Sequence, residues 1–491
     1  MYYIGIDIGT SSTKMTLIDE KGTIINEVSE EYQISEPQPG WKEIHPDVWM
    51  NAIEKRMPQL LERCNSQEVG AIGVTGQMHT IILLDEHGNV IRPALMWNDI
   101  RTKDMMSTLK SKIREIPSIS YISNIISTGS PAANLLWVKK HEPDNFKRIY
   151  KFLIGPDYIV YRLTNHYQSD FCEASTSSLY DLYEKKWSKD MQNLFDLPET
   201  IFPEVRGTQE VSGTLKKEWM DKFHLNENTK VIVGTGDNPA AAISTGCFSN
   251  QYPVLSIGTS GVLMYPKDTL DATSKGKNIL FSFDASHISI LVQGVVQSAG
   301  NSMAWWMKKI LNTSDFQAET SNIDFDALGK NKLIFYPHLS GDKTIYADPN
   351  LTGAFIGLQT STTRKEMSIA VMEGIAMAVK QLCEVMHIPK NVLEGLRITG
   401  GGSKNDVWMQ IIANVLNVKV QQLESGSGAG YGIALTAASV CEENLSLKDF
   451  IQTTIKIKKV FYPQKNYVEL YENKYKKYLK IYDALQFIYQ D

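Results

Sequence analysis

Two stretches of the sequence repeat one short phrase whose residue types suit phosphate. Gly5-Ile6-Asp7-Ile8-Gly9-Thr10-Ser11-Ser12-Thr13-Lys14 stands near the start, and Val254-Leu255-Ser256-Ile257-Gly258-Thr259-Ser260-Gly261-Val262 lies about half-way along. Each places alternating β-formers before Ile-Gly-Thr-Ser and resumes an apolar run after it, which predicts strand, tight glycine turn, strand. The tip of such a turn leaves backbone N–H groups and hydroxyls unpaired, a lining for phosphate oxygens. One copy alone reads more readily as an ordinary hairpin. Two copies, one near the start of each half, point to a duplicated fold with two phosphate turns for one nucleotide.

The elements around these turns follow from the same patterning. Residues 2–8, 13–19 and about 23–31 read as strands, the second pair joined by the polar turn Asp19-Glu20-Lys21-Gly22. Asp47 is expected to cap a helix over about 47–63. A strand over 69–74 ends in Thr75-Gly76-Gln77-Met78-His79, and a hairpin through Asp85-Glu86-His87-Gly88 leads to Trp97-Asn98-Asp99-Ile100-Arg101. Polar groups thus gather at strand ends, the usual place for ligands in α/β folds. The stretch 102–230 reads as mainly helical. A strand over 230–233 then meets Gly234-Thr235-Gly236-Asp237-Asn238-Pro239 and a small-residue helix over 240–246, with a domain boundary near 247–252. A long helix is expected near 364–386, before Ile398-Thr399-Gly400-Gly401-Gly402-Ser403. Over about 464–490, Tyr467, Tyr471, Tyr475, Tyr478, Tyr482, Leu485 and Tyr489 recur at helical spacing, a packing stripe under a solvated lysine face.

Composition narrows the class. A chain of 491 residues exceeds what one core organises, so about two to three domains are expected. Hydrophobic residues at 43% and charged residues at 21% are those of a globular enzyme. A net charge of −5 argues against a nucleic-acid or anionic-membrane surface. The five cysteines are scattered without metal-type spacing, as buried reduced thiols would be. Met1-Tyr2-Tyr3-Ile4-Gly5 lacks a basic n-region and runs at once into Asp7, unlike a signal peptide, and no apolar run reaches the length of a membrane span. A cytoplasmic protein is expected.

Together, the two turns, Gly234-Thr235-Gly236-Asp237 and Gly400–Gly402 resemble the FGGY carbohydrate kinases of the actin/hexokinase-like ATPase group. The run Gly353-x-Phe355-x-Gly357-Leu358, then Glu366-Met367 and Ala370-Val371-Met372-Glu373, is similar to that family's C-terminal signature, and the likeness covers nearly the whole chain. Thr75-Gly76-Gln77-Met78-His79 and Trp97-Asn98-Asp99-Ile100-Arg101 look like its xylulokinase branch. The resemblance implies two ribonuclease-H-like α/β domains, 1–247 and 248–491, with ATP and sugar in an interdomain cleft. It implies an ATP-dependent kinase that converts D-xylulose to D-xylulose 5-phosphate with Mg²⁺. Gluconate or another polyol is the alternative substrate, and an actin-like sugar-sensing ATPase the non-catalytic alternative. No nucleic-acid or membrane partner is implied; a homodimer is common among members of the family.

Residue by residue, the resemblance makes Asp237 the catalytic base, a role that phosphoryl transfer needs near the attacking hydroxyl. On local sequence alone, Asp237 reads equally as a helix N-cap. Asp7 is implied as the organiser of Mg²⁺ through water, with Asp237 nearby, since Mg²⁺ takes few carboxylates plus waters and phosphate oxygens. The second turn carries Ser256 in the place of Asp7, as an asymmetric metal site requires. Thr10, Ser11 and Ser12 are implied γ-phosphate donors, and Gly258, Thr259 and Ser260 contacts to the β- and γ-phosphates. Gly401, Gly402, Ser403 and Asn405 resemble the adenosine pocket, although a glycine triplet alone reads as a loop. Met78, His79, Asp99, Asp237 and Asn238 are implied for the sugar, with Met78 or Trp97 giving an apolar face; a core position is the expectation for Trp97. The chain departs from the family's pattern at Asn134, at Gly155-Pro156 where Pro-Lys is usual, and at Gly341-Asp342-Lys343-Thr344-Ile345.

Overall fold

Strand β1 (Tyr2–Ile8) buries Tyr3, Ile4, Ile6 and Ile8 together, as a central strand covered on both faces must. It runs antiparallel to β2 (Ser12–Asp19), which returns to the edge strand β3 (Ile24–Glu31), where burial alternates along the chain. On its other side β1 lies parallel to β4 (Val69–Gly76). With β5 (Val211–Thr214), β6 (Lys230–Ile232) and β7 (Thr235–Gly236) this makes a seven-stranded sheet, ordered β5-β6-β4-β1-β2-β3, with β7 also on β4. The computed structural model describes residues 1–491 except 249–251, 272, 285–286, 322, 425–427, 442–445 and 489–491.

A second seven-stranded sheet repeats this plan. Its centre is the antiparallel pair β8 (Val254–Ile257) and β9 (Gly261–Lys267). β8 lies parallel to β10 (Arg397–Thr399), which lies parallel to β11 (Val420–Leu423), and β12 (Ile457–Phe461) closes that edge antiparallel. The strands Lys277–Asp284 and His287–Val296 complete the seven. A central hairpin, two parallel neighbours and an antiparallel edge therefore occur in the same order twice. The mixed α/β architecture of two ribonuclease-H-like domains follows from the sequence as expected.

The chain divides into two units of six alternating segments. Met1–Gly246, Ile279–Ile290 and Gly426–Thr454 form unit 1, and Cys247–Asn278, Leu291–Ser425 and Ile455–Asp491 form unit 2. Part of the boundary expected near 247–252 lies outside the described residues. Within unit 1 the helix Ala429–Ser439 lies on the first sheet with almost no intervening side chain. A Cβ on Gly5 would sit 1.9 Å from the Gly430 carbonyl oxygen, and one on Gly432 would sit 1.8 Å from that of Ala240. Ala240 belongs to the helix Asp237–Ser244, so glycines set the depth of the element that carries Asp237.

Three local expectations need correction. Pro46, not Asp47, is the N-cap of the helix Asp47–Leu61; the Asp47 carboxylate instead accepts from Arg162 at 2.7 Å. The helix after β7 starts at Asp237, earlier than 240. The terminal helix is broken into Lys465–Tyr478 and Ile481–Leu485, and Tyr489 lies outside the described residues. Among the described residues, no helix is long and apolar enough to cross a membrane.

Candidate active site

The first glycine turn is a tied loop. Gly9 N–H donates to the Ser12 carbonyl at 2.9 Å, and the Tyr32 hydroxyl donates to the Gly9 carbonyl at 2.6 Å. Gln77, buried just past β4, donates its backbone N–H to Ile8 at 2.8 Å and its side-chain amide to Gly9 at 3.4 Å. These bonds hold the carbonyl side of the turn and leave Thr10, Ser11 and Ser12 at its accessible edge. Asp7 precedes the turn on β1, opposite Lys14 on β2 and Thr75 on β4. Burial pushes its carboxyl up to about 6, against the pull of nearby Lys14. Lys14 itself is exposed and pairs with Glu27 at 2.7 Å.

Thr75 is also the partner of Thr235 on β7, and Gly76 that of Gly236. Asp7 and Thr235 therefore flank one strand, about 10 Å apart across two strand spacings. Beyond the strand ends stand Gln77-Met78-His79 on one side and Asp237-Asn238 on the other. Asn238 Nδ2 lies 3.6 Å from Met78 Sδ. Asp237 is not a cap: Gly236 is the N-cap and Asp237 the first helical residue, a favoured place for a negative charge. His79 takes a left-handed backbone, φ 70°, and its N–H meets Glu173 Oε2 at 3.4 Å. Gly155, at φ 45°, packs its Cα so close to Gln77 that a Cβ would lie 2.4 Å from the Gln77 oxygen. The departure Gly155-Pro156 thus supports this loop, and Asn134 is buried at the Gly129 carbonyl, 3.4 Å away.

Two implied sugar residues are placed differently from expectation. Asp99 is completely buried, its carboxylate taken by Lys42 N–H at 2.7 Å and by the Arg101 backbone and guanidinium at 2.8–3.0 Å. Arg101 lies over Trp41 and Trp137, 4.2 and 4.9 Å from the ring centres. Asp99 holds a loop; it has no surface for a sugar. Trp97, expected in the core, is 43% exposed, and its indole N–H donates to the Thr10 hydroxyl at 3.1 Å. The Asp99–Arg101 clamp takes the buried place and turns the tryptophan outward.

In unit 2, the turn Gly258–Ser260 is one residue shorter than its counterpart: Ile257 pairs with Gly261, whereas Ile8 pairs with Thr13. Ser256 faces Thr399 as Asp7 faces Thr75. The neighbouring strand ends match too. A Cβ on Gly76 would sit 2.6 Å from the Ile8 oxygen, and one on Gly400 would sit 2.6 Å from the Ile257 oxygen. Gly401 faces open space; the Ser403 hydroxyl turns back to Gly400 at 2.7 Å. Asn405 is the N-cap of the helix Asp406–Leu416, accepting from Trp408 N–H at 2.9 Å, while its amide donates to Thr320 at 2.7 Å.

The model of the N-terminal domain of the FGGY family of carbohydrate kinases matches residues 2–244, and that of its C-terminal domain matches 254–441. The chain belongs to the FGGY family. It is 30% identical to a xylulose kinase of Staphylococcus xylosus over 485 residues, 98% of this chain and 100% of that relative. Among solved structures, a xyloylose kinase from Brucella ovis aligns with a TM-score of 0.89 at 28% identity, covering 99% of this chain and 100% of the other. The xylulose kinase from Rhodospirillum rubrum aligns at 0.90 and 25% identity, over 100% of both chains. This FGGY kinase is accordingly an ATP-dependent sugar kinase with a sugar and ATP as substrates.

Sequence reasoning missed three parts of the kinase's unit 1 site. Gln77 entered only as context, although it is the bracket of the first turn. Trp97 was expected inside. Buried carboxyls at Asp157, Asp170 and Glu173 went unread, and burial raises the proton affinity of each, that of Asp170 to about 6. The Ser169-Asp170-Phe171-Cys172-Glu173 run, with two acids among small and apolar residues, was the available signal.

Proposed function

We propose that this FGGY kinase transfers the γ-phosphoryl group of Mg-ATP to the 5-hydroxyl of D-xylulose in the cytoplasm. The observation that carries the reading is the paired strand end at Gly76 and Gly236, which mounts Met78-His79 and Asp237-Asn238 side by side. The relatives' names supply the sugar class. Asp237 accepts the proton of the attacking hydroxyl, whose oxygen forms the new bond to phosphorus as ADP leaves. Thr10, Ser11 and Ser12 offer donors to the γ-phosphate. His79 and Asn238 hydrogen-bond sugar hydroxyls, Met78 and the exposed Trp97 give apolar contact, and Asp99 positions the Trp97 loop. In unit 2, Gly258, Thr259 and Ser260 serve the phosphates. Gly401 offers open backbone to the adenosine, with Gly402, packed against Ile257 and Trp408, and Ser403 and Asn405 shaping the turn.

The donor set fits Mg²⁺. Asp7 is a hard oxygen ligand whose burial raises its proton affinity, which a cation beside it would reverse. The ion would be held by Asp7 and Asp237 with waters and phosphate oxygens, since Mg²⁺ takes few carboxylates. When bound, the ion neutralises charge on the transferring phosphate.

The test is ADP release with Mg-ATP against D-xylulose, L-xylulose, D-ribulose, L-ribulose, D-gluconate and glycerol, with a no-sugar control. The highest kcat/KM is expected with D-xylulose. Preference for gluconate or glycerol would keep the chemistry and overturn the substrate, and sugar-independent release would remove both.

A further inference from the structure

Glu173 is fully buried beside the site, and no step above uses it. It sits in the short helix Phe171–Thr176, whose cap Asp170 accepts the Glu173 N–H at 2.9 Å. One carboxyl oxygen, Oε2, accepts the His79 N–H at 3.4 Å. The other, Oε1, has no hydrogen-bond partner among the described residues and lies 2.9 Å from where a Cβ on Gly236 would stand. His79 occupies a left-handed conformation, which persists in a non-glycine residue only where its surroundings impose it. Gly236 is the N-cap of the helix that Asp237 opens, and Met78 and Cys172 crowd the same Cα. One buried carboxyl therefore touches the backbone that mounts the sugar-side His79 and the backbone that mounts Asp237.

We propose that Glu173 is a positioning residue of the acceptor site, fixing His79 and Asp237 relative to each other without meeting the sugar. The inference rests on the reading of Asp237 as base. The groups that face Glu173 are the carboxyls of Asp157, Asp170 and Asp237, the Cys172 thiol and the His79 N–H. Burial first, then repulsion from these three carboxyls, holds its carboxyl well above the usual range. A glutamine keeps the length of the side chain, an oxygen for His79 and the contact beside Gly236.

Steady-state ADP release is measured for wild type, E173Q, E173A and D237A, with the sugar of highest kcat/KM in the panel and with ATP varied separately. E173A is expected to raise the sugar KM about tenfold or more and to lower kcat, with the ATP KM within about twofold of wild type. E173Q should stay within about threefold of wild type in each constant. An unchanged sugar KM in E173A, an equal rise in the ATP KM, or an E173Q as impaired as E173A overturns the proposal. Should E173A not fold, E173D, which withdraws the carboxyl by one methylene, takes its place under the same expectation. Wild-type-like turnover in D237A removes the base assignment itself, whereas an inactive D237A beside a wild-type-like E173A removes only the role of Glu173.

Discussion

Asp7 shows at the scale of one residue how a buried carboxylate costs stability. Its carboxyl titrates near 6 in the folded chain, against 3.8 for an ordinary aspartate. The folded state thus holds the proton more tightly than the unfolded one, and ionised Asp7 opposes folding above pH 6. That penalty shrinks as pH falls from 6 toward 3.8 and is absent below. Asp7→Asn is therefore expected to raise Tm at pH 8, with about half of the gain left at pH 5, while activity is lost. Thermal melts of the metal-free and nucleotide-free protein at both pH values check this. An equal gain at the two pH values would mean that charge burial is not the cause. The places of Asp7 and Asp237 at neighbouring strand ends were legible because short local phrases carry them. Asp99 and Trp97 were not, since a carboxylate is read as ligand-facing until its partner is seen. Here the partner is Arg101, two residues on, and its stacking on Trp41 and Trp137 buries the pair.

At the scale of elements, the first sheet and the Asp237 helix are held by a layer with almost no side-chain thickness. The helix Ala429–Ser439 presents Gly430 to β1 at Gly5 and Gly432 to Ala240, and Ile433 to Gly73 on β4. A methyl group at Gly432 would meet backbone 1.8 Å away, which no rotamer change relieves. Gly432→Ala is expected to cost about 1–3 kcal/mol in urea unfolding and to lower kcat, because the helix bearing Asp237 must shift. A variant with wild-type midpoint and kcat would show that this approach is not tight in solution. The sequence reading found β1, β4 and the helix after β7, but not this helix. Its residues follow β11 in the chain, and local periodicity says nothing about which sheet a small-residue helix will cover. The terminal helix was legible as an aromatic stripe; its break between Tyr478 and Ile481 was not, because the stripe's spacing continues through it.

For the whole molecule, alternation of segments makes the last stretch of chain part of the middle. Ile455–Asp491 belongs to unit 2, and its helix Lys465–Tyr478 is anchored there by charge as well as by its tyrosines. Lys474, 7% exposed, pairs with the fully buried Glu373 of the helix Arg364–Val385 and donates to the Asn331 carbonyl at 2.8 Å. Glu373 also accepts from the Tyr471 hydroxyl at 2.9 Å and from Gly329 N–H at 3.0 Å. Such a pair gains little over an apolar replacement, yet removing one member strands the other charge in a dry site. Lys474→Met is therefore expected to cost about 3–5 kcal/mol. The E373Q/K474M double variant, with no charge left to strand, should recover part of that loss. The destabilisation should appear as faster amide exchange across unit 2, including Arg364–Val385 far back in sequence, while the first sheet keeps its protection. Exchange confined to the terminal helix would mean that this helix is an appendage, and that unit 2 holds together without it.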